Sequence, residues 1–336
     1  MKLKKLDLTN IKNITMRCSK NIQELMLIIE ADEDIDTSKI KGVDSIYLLK
    51  NSKYILKYGN KNIAEKMNDL IFYSIASGSS GNCYFFGNRQ YGFLIDAGIN
   101  AKHILKHLRS VDIDIPQVRA LFVTHIHKDH TQAMSVVGNR WNVPVYSTKK
   151  TFLEIERADY IRRKVNRTNC YFLEHGERMQ LGDFFITSFF VPHDVEDNSG
   201  FIIEYKGICV VLATDIGHVT QGLIDVVRQA DYLIIESNHD REMLRNGRYP
   251  LALKQRIIGN DGHLSNDETA ELVANHAKDG LKGLFLCHLS EENNSPVLAV
   301  ETMRKMIEEV KGADSRWSSL PVIALERKVP QVYLLK

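Results

Sequence analysis

A chain of 336 residues with 44% apolar side chains is long enough for one sizeable core or two smaller ones. Its 44 basic and 42 acidic side chains leave a formal charge of +2, which excludes an overall field that would gather nucleic acid or an anionic membrane. Any attraction for phosphate must therefore be local. No run of about 18 apolar residues offers a membrane-spanning helix, and the basic start "MKLKKLDLTN" is broken by polar residues before it could act as a signal peptide. The five cysteines, Cys18, Cys83, Cys170, Cys209 and Cys287, are scattered and never form a C-x-x-C pair, so they read as reduced thiols. The expected setting is cytoplasmic, away from any membrane.

Residues 1–70 are rich in Lys, Asn, Ile and Asp and carry no chemically suggestive cluster, and they read as a small appended module of undetermined role. Within it "NIQELMLIIEA" is ambiguous between helix and strand, and "DSIYLLKNSKYILKYG" reads as a hairpin across "KNSK". A short linker is expected near Lys66–Leu70. From there to the C-terminus, residues 71–336 form a second unit of short apolar runs closed by turn residues: "LIFYSIA", "CYFF", "GFLIDAG", "RALFVTH", "VPVYST", "FFITSFFVPHD", "GFIIEYKGICVVLATD", "ADYLIIES" and "KGLFLCH". These are strands, some joined as hairpins through "GNRQ" and "KG". Helical patterns lie between them in "NAKHILKHLRS", "HTQAMSVVGNRW", "SNDETAELVANHAKDG" and "SPVLAVETMRKMIEEVKG". The alternation predicts a layered α/β domain.

The apolar runs share an ending. His125 follows "ALFVT", Pro192 and His193 follow "FFV", Asp215 follows "VVLAT", Glu236 closes "YLII", and His288 follows "LFLC". If the strands share an orientation, these side chains meet along one edge, where α/β architectures place their reactive loops. Imidazoles and carboxylates converging there suit a divalent ion such as zinc or manganese, with iron also accommodated. The spacing in "THIHKDH" supports two ions. His125 and His127 alternate like residues leaving a strand and face one ion, while Asp129 and His130 fall on the next turn and face a second; together such ions activate water.

"THIHKDH", "VPHD", "LATD" and "CHLS" resemble the metal motifs of the metallo-β-lactamase superfamily, and "LIDAG" around Asp96 resembles its first motif. More narrowly, "SGSSGN", "ESNHDREMLRNGRYP", "GHLSN" and "CHLSEENN" resemble the YycJ (WalJ) branch, cytoplasmic proteins associated with 5′-to-3′ exonuclease activity on DNA. The resemblance covers roughly Ile71 to the C-terminus. It implies a four-layer αββα sandwich (α+β), with His125, His127 and His193 on one ion, Asp129, His130 and His288 on the other, and Asp215 between them. It further implies that Glu236 and His263 act together to protonate a leaving alkoxide. The pairing is apt, because a carboxylate favours the protonated form of a neighbouring imidazole.

Substrate contacts are expected from three places. The loop Ser77–Asn82, with Ser79, Ser80, Gly81 and Asn82, can turn backbone N–H groups toward a phosphate. His239 can share the proton-donor role or touch phosphate. Arg241, Arg245 and Arg248 belong to a basic run directly after Glu236–Asp240, and a second basic run spans Lys149–Arg167, with seven basic against three acidic side chains. His103 and His107 read as a helix face, and Cys287 as core. The expected reaction is hydrolysis at a dinuclear centre, with Asp129 orienting the nucleophile. DNA cleaved from 5′ ends is the favoured substrate. The alternatives are a glyoxalase-type thioester hydrolase, an RNA-directed nuclease, a small-molecule phosphodiesterase and a non-catalytic, metal-folded DNA-binding module. A thioester competes least well, because a thiolate leaves without needing the proton that Glu236 and His263 would supply. Metal identity and oligomeric state are left open by the residues.

Overall fold

The computed structural model describes residues 69–313 and 315–336 in full and, ahead of them, the backbone of four strands. The described residues fall into two compact units, one holding those four strands and Leu108–Asp114, the other comprising Leu70–His107 and Ile115–Lys336. In the first unit β1 (Ile11–Cys18), β2 (Leu25–Ala31), β3 (Ser45–Lys50) and β4 (Lys53–Tyr58) form one sheet in that order. The ambiguous "LMLIIEA" is thus a strand. The expected hairpin forms, with Lys50 opposite Lys53, although its two turn residues lie outside the described residues, as does most of the expected linker at Lys66–Leu70.

The second unit is a sandwich of two seven-stranded sheets. The first sheet holds β5 (Leu70–Ala76), β6 (Cys83–Gly87), β7 (Gly92–Ile95), β8 (Val118–Phe122), β9 (Val145–Ser147), β10 (Cys170–Phe172) and the C-terminal β18 (Gln331–Leu335). The second holds β11 (Arg178–Leu181), β12 (Phe184–Phe190), β13 (Ser199–Tyr205), β14 (Ile208–Ala213), β15 (Tyr232–Glu236), β16 (Gly283–Cys287) and β17 (Val322–Ala324). Both hairpins read from the sequence form. In the second, Lys206 (φ 47°) and Gly207 (φ 84°) make the left-handed two-residue turn that matches strand twist.

Facing rows of aromatic and branched side chains, including Phe72, Phe86, Phe93, Phe122, Phe184, Phe201 and Phe285, fill the space between the sheets. Their rings meet at 5.0–5.9 Å, mostly edge-on or offset, which adds to the area term of burial. Cys287 is in this core, as expected.

Helices cover both outer faces: α1 (Ala101–Ser110), α2 (Lys128–Thr131) and α3 (Lys149–Arg157) come from the first half, and α4 (Gln221–Val227), α5 (Arg241–Asn246), α6 (Leu251–Ile258), α7 (Asn266–His276) and α8 (Pro296–Lys311) from the second. The outer face of the second sheet packs Val211, Leu233, Ile235 and Leu286 against Leu223, Val273, Met303 and Ile307. α7 starts where the sequence placed it, on a capping box between Ser265 and Glu268. The result is the four-layer αββα arrangement.

Strand direction positions the site. β14, β15 and β16 are parallel, and β12 runs with them because β13 opposes both its neighbours. The endings at His193, Asp215, Glu236 and His288 therefore share one edge. His125 follows β8 of the other sheet, so the polar endings are divided between two facing sheets rather than one.

Candidate metal centre

After β8 the chain leaves the sheet through Thr124 and His125, and α2 then lifts Asp129 and His130 toward the same edge. The α2 turn is pinned at several points. Thr131 Oγ1 donates to the carbonyls of Ile126 and His127, and the N–H of Asn82 donates to the Asp129 carbonyl at 2.7 Å. From the facing sheet come His193, Asp215 and His288, and the loop between α6 and α7 brings His263. Ligand atoms within 4.8 Å of one another group as His125, His127 and His193; as His125, His130 and Asp215; as Asp129, His130 and His288; and as Asp215, Glu236, His263 and His288. The seven residues read as ligands thus converge, with Asp215 reaching both clusters.

Ring nitrogens crowd together here as they would around a shared cation. His125 Nε2 lies 3.0 Å from His127 Nδ1, and His193 Nε2 lies 3.3 Å from that same atom. His288 Nε2 is buried without a hydrogen-bond partner among the described residues. Burial lowers the pKa of His125, His193 and His127, the last to about 4, so these rings keep their lone pairs. Burial would also neutralise Asp129 and Asp215. It is outweighed at Asp129 by His130 and His288, and at Asp215 by His288 and His130, and both carboxyls stay below their ordinary range. The same attraction, led by Asp215, overcomes burial at His130 and pushes His288 up to about 10. The donor set is nitrogen and carboxylate without thiolate, which fits divalent ions in two adjoining positions.

The other ring nitrogens are held from behind. His130 Nδ1 donates to Asp96 Oδ2 at 2.6 Å, and Asp96 also accepts from the N–H and hydroxyl of Thr124. His193 Nδ1 donates to the Gly262 carbonyl at 3.1 Å. Such contacts set the tautomer and aim the ligating nitrogen. Asp96, Asp215 and His288 all sit in left-handed backbone, with φ of 59°, 57° and 53°, which non-glycine residues seldom adopt and which turns each side chain off the end of its strand.

Glu236 is fully buried and joins two imidazoles. Its Oε1 accepts from His263 Nδ1 at 2.9 Å and His288 Nδ1 at 2.8 Å, and its Oε2 accepts from the N–H groups of Ile216 and Leu264. Burial alone would raise its pKa, but His263 and His288 hold it at about 2. Of the two imidazoles, His263 is the more open, with 18% of its side chain exposed.

The residues read as substrate contacts are placed less uniformly. Ser79 and Ser80 are exposed, but Gly81 and Asn82 are buried. Four N–H groups of the loop are engaged, from Ser77 to the Arg327 carbonyl, from Gly78 to Asn82 Oδ1, from Gly81 to the Gly78 carbonyl and from Asn82 to the Asp129 carbonyl, which leaves those of Ser79 and Ser80 without a partner among the described residues. The Asn82 amide lies 2.9 Å from His130 Nε2 and 3.4 Å from Asp129 Oδ2, so it touches two of the residues read as ligands. His239 is 1% exposed, has no partner for either ring nitrogen among the described residues, and is kept neutral by burial, with a pKa of about 4. Arg241 is drawn to Ser265, Asp267 and Glu268, and Arg245 to Glu242, while Arg248 has no acidic partner among the described residues.

One participant escaped sequence reasoning. Asp194 lies 3.2 Å from His193 Nε2 and 3.5 Å from His127 Nε2, and it is bonded to Arg256. Its position directly after a ligand in "VPHD" was the available signal. A cleft of about 640 Å³ beside His193 is lined by Glu154, Asp194, Glu196 and Asp261, of which Asp194 pairs with Arg256 and Glu196 with Arg157.

Facing sheets whose strand ends converge on two His/Asp clusters define a metal-dependent hydrolase of the metallo-β-lactamase fold. Residues 91–285 match the model of the beta-lactamase superfamily domain, and the chain belongs to that family. It is 36% identical over 232 residues to the exodeoxyribonuclease WalJ of Streptococcus pneumoniae, across 69% of this chain and 86% of that protein. It is 32% identical over 240 residues to the exodeoxyribonuclease YycJ of Bacillus anthracis, across 71% and 90%. The metallo-beta-lactamase fold protein YhfI of Bacillus subtilis superposes with a TM-score of 0.55 at 16% identity, over 79% of this chain and all of that one, and shares the fold. Among the described residues no helix is long and apolar enough to cross a membrane.

Proposed function

We propose that this protein is a dinuclear metal phosphodiesterase that degrades DNA from 5′ ends, with the chemistry carried by residues 71–336. The observation that carries the reading is the Glu236–His263 pair at the rim of the metal cluster. An alkoxide leaving group needs a proton in the transition state and a thiolate does not, so a held imidazole beside the ligands favours phosphodiester over thioester. The exodeoxyribonuclease relatives support the same substrate class.

His125, His127 and His193 would hold one ion, Asp129, His130 and His288 the other, with Asp215 shared; zinc or manganese, with iron also suited, would supply Lewis acidity that lowers the pKa of water and offsets phosphoryl charge. Asp129, ionised and partly open, orients the attacking water. Glu236 Oε1 accepts a hydrogen bond from His263 Nδ1–H, which leaves Nε2 as the atom that gives a proton to the leaving oxygen. Ser79 and Ser80, with Arg248, hold phosphates of the strand. A cytoplasmic setting accompanies this reading and suits the free thiols Cys83, Cys170, Cys209 and Cys287.

The test is incubation of metal-loaded protein with 5′-labelled duplex DNA, single-stranded DNA, RNA and a glutathione thioester, beside Asp129→Ala and His263→Ala. Early release of labelled mononucleotide from DNA, abolished by Asp129→Ala and strongly reduced by His263→Ala, is expected. Thioester turnover without cleavage of nucleic acid overturns the reading.

A further inference from the structure

The turn after α3 presents an aromatic ring that is tied to the metal motif. Tyr160 is 57% exposed, and its hydroxyl donates at 3.2 Å to the carbonyl of Ile126, the residue between His125 and His127. Neighbouring exposed rings are engaged with other rings: Tyr171 stacks on Tyr146 at 5.2 Å, and Phe172 stands edge-on to Phe152 at 5.9 Å. Tyr160 has no aromatic neighbour among the described residues.

The turn that carries it is held. Ile161 N–H donates to the Ala158 carbonyl at 3.2 Å, and the Lys164 ammonium bonds the carbonyls of Ile155 and Ala158 at the end of α3. A ring fixed in this way loses little freedom when something lies on it. Beyond it stand Arg162 and Arg163, both exposed and without an acidic partner among the described residues, whereas Arg157 pairs with Glu196 and Arg167 with Glu156. An open ring face, unpaired guanidinium groups and a hydrolytic centre beside them match an unstacked nucleobase and its flanking phosphates.

We propose that Tyr160 is the stacking platform for a base next to the scissile phosphodiester, with Arg162 and Arg163 meeting the adjacent phosphates. Bases inside a duplex hide their faces, so this platform selects a single-stranded or frayed end. The inference rests on the nucleic-acid reading above and adds the form of the substrate.

The metal-loaded full chain is assayed as wild type, Tyr160→Ala, Tyr160→Phe and Tyr160→Trp, with metal content measured for each. The substrates are two DNA duplexes with a single-stranded 5′ overhang, one intact and one with abasic residues at the three terminal positions. Tyr160→Ala is expected to lower kcat/KM on the intact overhang by about 5- to 150-fold, the worth of one stacked base. On the abasic overhang it should match wild type within about 2-fold. Tyr160→Phe and Tyr160→Trp keep a ring and should stay within about 3-fold of wild type on both. A Phe variant as impaired as the Ala variant, an equal loss on the abasic end, no loss at all, or loss of metal from Tyr160→Ala each overturns the proposal. Wild-type protein that cuts no DNA removes both readings, whereas wild-type cleavage that Tyr160→Ala leaves intact removes only this one.

Discussion

Glu236→Gln keeps the shape of a fully buried side chain and removes its charge, and its cost follows from the geometry. The carboxylate accepts from four donors, the Nδ1 atoms of His263 and His288 and the N–H groups of Ile216 and Leu264. An amide has one oxygen and one NH2, so whichever way it turns, two of those donors face another donor. Each buried donor left without an acceptor costs about 1–3 kcal/mol, which puts the substitution at about 2–6 kcal/mol. For a domain of this size that lowers Tm by at least about 4 °C. The alternative is for both imidazoles to change tautomer and carry the proton on Nε2, which denies His288 Nε2 to an ion. Stability or metal affinity must therefore fall. Thermal unfolding with and without metal, together with competition against a chromophoric chelator, separates the two outcomes. Cleavage of DNA should drop by about 10²–10⁴, and cleavage of a p-nitrophenyl phosphodiester, whose leaving group needs no proton, should drop less. A Gln variant that melts with wild type and binds both ions with unchanged affinity would falsify this account of Glu236.

Asp96→Asn weakens the acceptor behind His130 Nδ1, and should reduce affinity for the ion held with Asp129 and His288 by about 10- to 100-fold while sparing the ion at His125, His127 and His193. Stoichiometric metal titration reads this as one weakened class of site, and two unchanged classes would refute it. At Gly98 an added Cβ would lie 1.6 Å from the Asp129 carbonyl oxygen. Gly98→Ala should cost about 1–3 kcal/mol by overpacking and displace Asp129, with activity lost while circular dichroism persists; an active Ala variant refutes it. The metal-free chain holds protons on His130 and His288, whose pKa values are raised, so loading near pH 7 should release about two protons and metal affinity should weaken as pH falls. For the same reason His288 stabilises the metal-free fold fully below about pH 6.5, and that contribution declines as pH rises through about 10. A pH indicator during metal loading and melting curves across that range check both, and loading without proton release refutes the charge assignment.

The gathering of His125, His193, Asp215 and His288 was legible because each comes within two residues of the end of an apolar run, and hydrophobic patterning locates strand ends well. The division of those ends between two facing sheets followed from the family resemblance and not from the apolar runs themselves, since pairing depends on contacts far apart in the chain. β18 illustrates this: "QVYLL" lies more than 250 residues from its partner β5 and is only partly buried. β11 alternates exposed and intermediate positions in "RMQL" and carries too weak an apolar signal to be marked as a strand. The loop "SGSSGN" was readable as a turn. That Asn82 faces the ligands while Ser79 and Ser80 face solvent depends on the course of the backbone, which composition does not encode. The pairing of Asp194 with Arg256, a member of the basic run after Glu236–Asp240, was hidden for a similar reason. Each looks like an ordinary surface charge until the fold brings the end of β12 and α6 together.

The left-handed backbone at Asp96, Asp215 and His288 bears on how this site is best silenced for structural work. At such positions any L residue with a Cβ carries about 1–2 kcal/mol of local strain, offset in the native chain by the bonds the side chain makes. Alanine removes those bonds and keeps the strain, so an alanine variant confounds a lost ligand with a loosened loop. Glycine removes ligand and strain together. Glycine at 215 or 288 is accordingly the cleaner choice for an inert chain that keeps its strand ends in place around an uncut strand.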